Sequence, residues 1–434
     1  MVSEKWHQFR LADLCEAIDY GYTAAASIIP VGAKFLRITD IVGRYLNWNE
    51  VPFCDVDEST REKYRLHHED IVIARTGATT GVSAFIADPP DALFASYLVR
   101  LKIGKLASAR FISYFLKSSE FWDYIHGVLG DKSAQPNASA RTMTQVKLLV
   151  PPYPEQLAIS HILGALDDKI ELNHRINETL EAIARAIFKS WFVDFDPVRA
   201  KMEGREPYGM DAETAALFPG SFEDSALGKI PKGWNIKNLP EVIEINPQRS
   251  LSKGQSAPYL EMSNMPTSSA RALDWEYRDF SSGMKFMNGD VLLARITPCL
   301  ENGKTAYVDF LADGQVGWGS TEYIVLFSKP PLPREYAYFL ARSDELRTHA
   351  IQNMTGTSGR QRVPAECFKA YPIVVPPEKI AVQFGEIVRP FMQAIKQYDE
   401  ESRTLAAIRD ALLPKLLSGE IRVKEAEKYT ESHL

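Results

Sequence analysis

Two places in this chain set an arginine at the end of a short apolar run and follow it with small polar residues. The first is Asp70-Ile71-Val72-Ile73-Ala74-Arg75, continued by Thr76-Gly77-Ala78-Thr79-Thr80-Gly81. The second is Asp290-Val291-Leu292-Leu293-Ala294-Arg295, continued through Thr297-Pro298-Cys299-Leu300-Glu301-Asn302-Gly303-Lys304. Each run reads as a strand, and each loop gathers hydroxyls, main-chain N–H groups and cations beside glycines that permit close backbone approach. Such groups hold phosphates and reach base edges. A second polar loop follows in each half, Lys132-Ser133-Ala134-Gln135-Pro136-Asn137-Ala138-Ser139 and Thr357-Ser358-Gly359-Arg360-Gln361-Arg362-Val363-Pro364. Arginine can grip guanine, and asparagine or glutamine adenine, through two parallel bonds. The candidate DNA contacts are therefore Arg75, Thr79, Thr80, Lys132, Gln135 and Asn137 in the first half, and Arg295, Thr297, Lys304, Arg360, Gln361 and Arg362 in the second.

Residues for covalent or metal chemistry are not grouped in this way. Gly303-Lys304-Thr305 has Pro298 where a phosphate-binding loop needs its first glycine. Cys15, Cys54, Cys299 and Cys367 fall at no metal-type spacing, and no two match across the halves, so they read as packing residues. His67 and His68 are adjacent, without partner spacing for a metal, and read as surface residues. We expect no catalytic residue and no metal site.

The elements that carry these loops are duplicated. Leu149-Val150-Pro151-Pro152 recurs as Val374-Val375-Pro376-Pro377 at an offset of 225, and Thr179-Leu180-Glu181-Ala182-Ile183 recurs as Thr404-Leu405-Ala406-Ala407-Ile408 at the same offset. The strands ending in arginine match at 220 and Tyr114-Phe115-Leu116 matches Tyr338-Phe339-Leu340 at 224, so small insertions separate the copies. After each Pro-Pro, a 4-3-4-3 spacing marks a helix seam. In the first copy it runs through Ile159, Leu163, Leu166, Ile170, Asn173, Asn177, Leu180, Ala184, Ile187 and Trp191. In the second it runs through Phe384, Val388, Phe391, Ile395, Tyr398, Ser402, Leu405, Arg409, Leu412 and Leu416. The first seam is symmetric about position 175. Antiparallel pairing would set Asn173 opposite Ser402 and Asn177 opposite Tyr398 as a polar layer, flanked by Ile170 with Leu405 and Leu180 with Ile395. It would also place the globules at opposite ends of helices about 55 Å long. The expectation is an α+β chain with pseudo-twofold symmetry: a globular domain over 1–152, a helix over 153–195, a linker over 196–226, a second domain over 227–377, a second helix over 378–423 and a polar tail over 424–434.

Composition permits DNA binding without supporting it. The chain carries a net charge of −6, yet residues 1–150 and 221–375 each hold 17 basic and 17 acidic groups, so the surplus of acid lies outside the globules. Local potential, not total charge, guides a polyanion. No apolar run approaches the roughly 18 residues needed to span a bilayer, and the start lacks the pattern of a signal peptide, which makes the cytoplasm the expected compartment.

Glu69-Asp70-Ile71-Val72-Ile73-Ala74-Arg75, Leu148-Leu149-Val150-Pro151-Pro152-Tyr153-Pro154-Glu155-Gln156, Leu166-Asp167-Asp168-Lys169-Ile170, Ser190-Trp191-Phe192-Val193-Asp194-Phe195, Leu227-Gly228-Lys229-Ile230-Pro231-Lys232-Gly233-Trp234 and the closing Leu412-Leu413-Pro414-Lys415-Leu416-Leu417-Ser418-Gly419-Glu420-Ile421 follow one another in an order that resembles the specificity subunit of type I restriction-modification systems. One departure is Glu378-Lys379 after the second Pro-Pro, where the first copy has Glu155-Gln156. The resemblance implies a non-catalytic subunit with two target-recognition domains, each reading half of a bipartite double-stranded DNA target. It further implies an antiparallel coiled coil that acts as spacer and docks two methylation subunits, which carry S-adenosylmethionine and modify adenine. Motor-nuclease subunits using ATP and magnesium complete the enzyme. No cofactor is implied for this chain, and no membrane.

Two rival readings are weaker. A catalytic adenine methyltransferase needs a short loop with a polar acceptor before Pro-Pro and an aromatic after it. Val150-Pro151-Pro152-Tyr153 lacks the acceptor and Asp88-Pro89-Pro90-Asp91 lacks the aromatic. A structural coiled-coil adaptor without DNA binding would not need two similar globular domains with polar loops at matching places.

Overall fold

Asp70 and Asp290 stand at the entry of equivalent strands for the same local reason. In the computed structural model, which describes residues 6–43, 46–129, 137–357, 359–426 and 428, the Asp70 carboxylate accepts the His67 N–H at 2.9 Å and the Asp290 carboxylate accepts the Met287 N–H at 2.7 Å. The residue before each is left-handed, Glu69 at φ 67° and Gly289 at φ 92°. Arg100 approaches Asp70 at 3.6 Å, and Arg249 donates to both oxygens of Asp290 at 2.6 and 3.1 Å. Burial nevertheless pushes both carboxyls above the ordinary range.

Each of these strands is an inner strand of a four-stranded antiparallel sheet. The order in the first is Cys15–Tyr20, Leu98–Ile103, Asp70–Ala74, Ser83–Ile86, and in the second Ile243–Ile245, Tyr323–Ser328, Val291–Ala294, Thr305–Tyr307. A smaller sheet accompanies each, built on a parallel pair: Ala33–Leu36 with Ala92–Phe94, and Ser256–Leu260 with Gly317–Gly319. A two-stranded ribbon then ties the start of each globule to its end, His7–Arg10 with Lys147–Val150 and Asn235–Asn238 with Pro372–Val375. The Pro-Pro pairs follow, since proline has no N–H to extend the ribbon but fits a helix entry. Long helices begin there, Tyr153–Phe192 and Glu378–Ser418, so the offset of 225 survives the departure at Glu378-Lys379.

That departure has a visible consequence. Gln156 is buried, accepts the Ser108 N–H at 2.8 Å and donates to Pro151 O at 2.9 Å, bracing the helix Ala109–Phe115 against the start of the first long helix. The second copy has apolar Ile380 and Ala381 in that turn, both fully buried, and packs where the first copy hydrogen-bonds.

The chain divides into two compact units, Met1–Leu172 with Glu401–Leu434, and Asn173–Glu400. Each long helix is thus shared between units instead of standing apart from both globules. In the first unit Ile159, Leu163, Leu166 and Ile170 join Leu405, Ile408, Leu412 and Leu416 in one apolar cluster with Phe111, Ile112 and Phe115. In the second, Leu180, Ala184, Phe188 and Trp191 join Phe384, Val388, Met392 and Ile395 with Tyr336 and Phe339. The helices run antiparallel within each unit. Arg409, the one cation on the second seam, donates to Asp167 at 2.6 Å. Asn173 and Asn177 reach main-chain carbonyls of the opposing helix, Tyr398 O at 3.4 Å and Ile395 O at 3.3 Å. Asn177 therefore bonds to the backbone nearly one turn from Tyr398, the residue expected opposite it.

Residues 196–226 are more than a connector. They hold the helices Asp196–Met202 and Ala212–Leu217, and Val198 and Phe218 are buried in the second unit's core, where Phe218 meets Trp191 edge-on at 5.0 Å. Among the described residues no helix is long and apolar enough to cross a membrane, and no cluster of His, Cys, Asp and Glu could hold a metal ion.

Candidate nucleic-acid interface

The arginine that follows each of these inner strands is fixed through its backbone in the same way in both units. Arg75 N–H donates to Tyr97 O at 3.0 Å and its carbonyl accepts Ala138 N–H at 2.9 Å; Arg295 N–H donates to Glu322 O at 3.0 Å and its carbonyl accepts Val363 N–H at 2.8 Å. One residue on, Thr76 bridges to Asn137 and Ile296 bridges to Arg362. The loop after the strand and the loop before the helix, distant in sequence, are thereby laced into one rim. With the main chain so committed, the side chains along this rim are what differ between the units.

In the first unit the Arg75 guanidinium lies over the Tyr20 ring at 4.8 Å, and its Nη2 donates to Asn137 Oδ1 at 3.3 Å. Tyr97, beside it, is 60% exposed. Thr79 is half-buried in the turn. Thr80 departs from expectation: it is buried, and its hydroxyl donates to Gly77 O at 2.7 Å, which closes the turn that returns the chain to Gly81. Lys132 and Gln135 lie outside the described residues.

In the second unit Arg362 donates through Nε to Glu322 at 2.7 Å and through Nη1 to Arg360 O at 3.2 Å. Arg360 is exposed. Gln361 is half-buried, and its carbonyl accepts Thr297 N–H at 3.0 Å, while the Thr297 hydroxyl donates to Glu301 at 2.8 Å. Lys304, half-buried, turns inward and donates to Met262 O at 2.7 Å, so its ammonium braces a neighbouring turn. Arg295 is half-buried. Its Nε, like that of Arg75, is buried with no hydrogen-bond partner among the described residues.

Tyr20, Tyr97 and Glu322 were not among the candidates chosen by residue type. The repeat itself could have found two of them, since Tyr97 and Glu322 stand 225 apart.

The model of the type I restriction modification DNA specificity domain matches residues 3–182 and again 231–403, so each match spans one strand-end arginine and its rim. The chain belongs to this family of type I specificity subunits. Two relatives agree along most of their length. The type I restriction enzyme HindI specificity subunit of Haemophilus influenzae is 24% identical over 96% of this chain and 99% of that one. The MjaIX specificity subunit of Methanocaldococcus jannaschii is 24% identical over 82% of this chain and 76% of its own. The crystal structure of a type I S subunit from M. genitalium shares the fold, with a TM-score of 0.53 over 95% of this chain and 96% of that one at 14% identity. As a specificity subunit the chain is the non-catalytic component of a type I restriction enzyme and serves DNA sequence recognition, consistent with the incomplete methyl-transfer loops at Val150 and Asp88.

Proposed function

We propose that this specificity subunit reads a bipartite double-stranded target, one half-site with the rim around Arg75 and Asn137 and the other with the rim around Arg295, Arg360 and Arg362. The observation that carries the reading is the duplicated lacing of the two loops. Backbone hydrogen bonds are kept residue for residue, while the side chains at equivalent points differ, Tyr97 against Glu322 and Asn137 against Arg362. A conserved frame with divergent side chains is what two readers of different sequences require.

Chemistry belongs to the partners in this proposal. Two methylation subunits carrying S-adenosylmethionine dock on the chain, and motor-nuclease subunits supply ATP- and magnesium-dependent restriction. The purified chain alone should transfer no methyl group and should shift a DNA ladder in a salt-dependent way. In the assembled methyltransferase, Arg75→Ala should alter the methylation motif in one half-site only and Arg362→Ala in the other only. A motif altered in the same half by both, or unaltered by either, refutes the division of labour between the rims.

A further inference from the structure

We propose that Glu322 is a positioning residue for specificity, which holds Arg362 so that it selects a guanine in the second half-site. This deepens the DNA-reading role proposed for the rim and rests on it. Glu322 is itself anchored: its N–H donates to Ser320 Oγ at 3.1 Å and its carbonyl accepts the Arg295 N–H at 3.0 Å. Its carboxylate is 23% exposed and takes the Nε of an Arg362 side chain that is 44% exposed. Arg362 also exchanges both main-chain hydrogen bonds with Thr355, at 2.9 Å each. The guanidinium therefore has a fixed base and a fixed rotation.

A guanidinium has five N–H donors in a planar fork. Glu322 takes Nε–H and Arg360 O takes one hydrogen of Nη1. What remains is one hydrogen on Nη1 and two on Nη2, and the far edge of the fork pairs one hydrogen from each of these nitrogens. Two parallel donors on that edge match the O6 and N7 acceptors that only guanine offers side by side in the major groove. A carboxylate behind the fork also cancels much of the charge that would otherwise draw Arg362 to any nearby phosphate, which favours a base over the backbone.

The equivalent point in the first unit supports this reading. There Asn137 takes the place of Arg362 on the bridge, and its carbonyl is held by Arg75 Nη2 at 3.3 Å. An amide braced by a guanidinium stands where a guanidinium braced by a carboxylate stands in the second unit. The acid at 322 thus accompanies the arginine it serves, and Tyr97 occupies its place where no arginine needs bracing.

The test uses the assembled methyltransferase carrying Glu322→Ala, Glu322→Gln, Arg362→Ala or the Glu322→Ala/Arg362→Ala pair. A methylation-motif survey and competition binding would be run with duplexes varied one base pair at a time. Arg362→Ala should cut discrimination at one G·C pair of the second half-site by roughly 5- to 150-fold. Glu322→Ala should cut it several-fold at the same pair, and Glu322→Gln should restore part of the loss by keeping an acceptor. The double variant should be no worse than Arg362→Ala, and the first half-site should be unchanged. If Glu322→Ala does not fold, Glu322→Gln set against Arg362→Ala at that pair decides the question. Full discrimination in both Glu322 variants, with loss in Arg362→Ala, overturns the positioning role and leaves the rim as the interface. A change at a different base pair means that Glu322 reads DNA itself and also overturns the proposal. Unchanged motifs in every variant remove the loop from the interface altogether.

Discussion

Replacing Asp167 with alanine should weaken the first unit more than any exposed ion pair could. Its carboxylate accepts Arg409 Nη1 at 2.6 Å and the Tyr114 hydroxyl at 2.9 Å, with Lys117 Nζ at 3.5 Å, so it joins both long helices and the helix Ala109–Phe115. Breaking a fully buried pair by removing one partner costs about 3–5 kcal/mol. Here the Arg409 and Asp167 side chains are 23% and 24% exposed, and Arg409 keeps Asp410 at 2.8 Å, so screening lowers the expectation to about 2–3 kcal/mol. At about 2–4 °C per kcal/mol for a unit of this size, the thermal transition of the first unit should fall by roughly 4–12 °C. Asp167→Asn should cost less, since it keeps an acceptor for Tyr114. Burial acts to raise the Asp167 pKa, but the charges of Lys117 and Arg409 with the bonds from Arg409 and Tyr114 hold it lowered. The stability it contributes is present above the unfolded value of about 3.9 and is lost as pH falls through the folded one. Below about pH 4, therefore, wild type and Asp167→Asn should converge. Scanning calorimetry across pH gives these numbers, and a double-mutant cycle with Arg409→Ala should return a coupling of about 1–2 kcal/mol. An Asp167→Ala cost under about 0.5 kcal/mol, or one equal with and without Arg409, refutes the role assigned to the pair.

Two further outcomes follow from the helices. Glu181 is buried, accepts the Tyr338 hydroxyl at 2.5 Å and has Arg185 Nε at 3.6 Å, and burial pushes its carboxyl upward. A raised acid binds its proton more tightly in the folded state, so stability from this group falls as pH rises from the unfolded value of about 4.3 toward the folded one. The advantage of wild type over Glu181→Gln should shrink across that range in paired thermal melts, and an advantage that grows with pH contradicts the assignment. Seven residues inserted into each long helix, about 10 Å at 1.5 Å per residue, should leave both half-site motifs intact and lengthen the unread spacer by about 3 bp. Methylation at the original spacing by a folded, assembled variant removes the helices as the ruler.

The features legible in the sequence are those set by short-range periodicity. The seam from Ile159 to Trp191 and the strands ending at Arg75 and Arg295 need only local patterning and a buried face, and both repeat. Tertiary partners are what residue type conceals. Thr80 and Lys304 have the right chemistry for a ligand but spend it on Gly77 O and Met262 O. Asp167, a charged residue in a helix, looks like part of a solvated face until Arg409 and Tyr114 are brought to it. The segment 196–226 looks like a linker because its few apolar residues lack a period, yet Val198 and Phe218 find a core supplied by other elements. Glu322 was hidden for the opposite reason: its carboxylate matters only beside a loop 40 residues away.

The division of the chain into units has a consequence in time. The second unit, Asn173–Glu400, is one uninterrupted stretch, whereas the first is completed only by residues beyond Glu401. Leu163 and Leu166 leave the ribosome about 240 residues before Leu405, Leu412 and Leu416, their partners in the core. At about 5–20 residues per second, that apolar stripe lacks its second-helix partners for roughly 10 to 50 s of synthesis. The later-translated globule can close its core while the earlier one still waits for its last helix. Order of appearance and order of completion are therefore reversed: the first globule to be made is the last whose chain is complete.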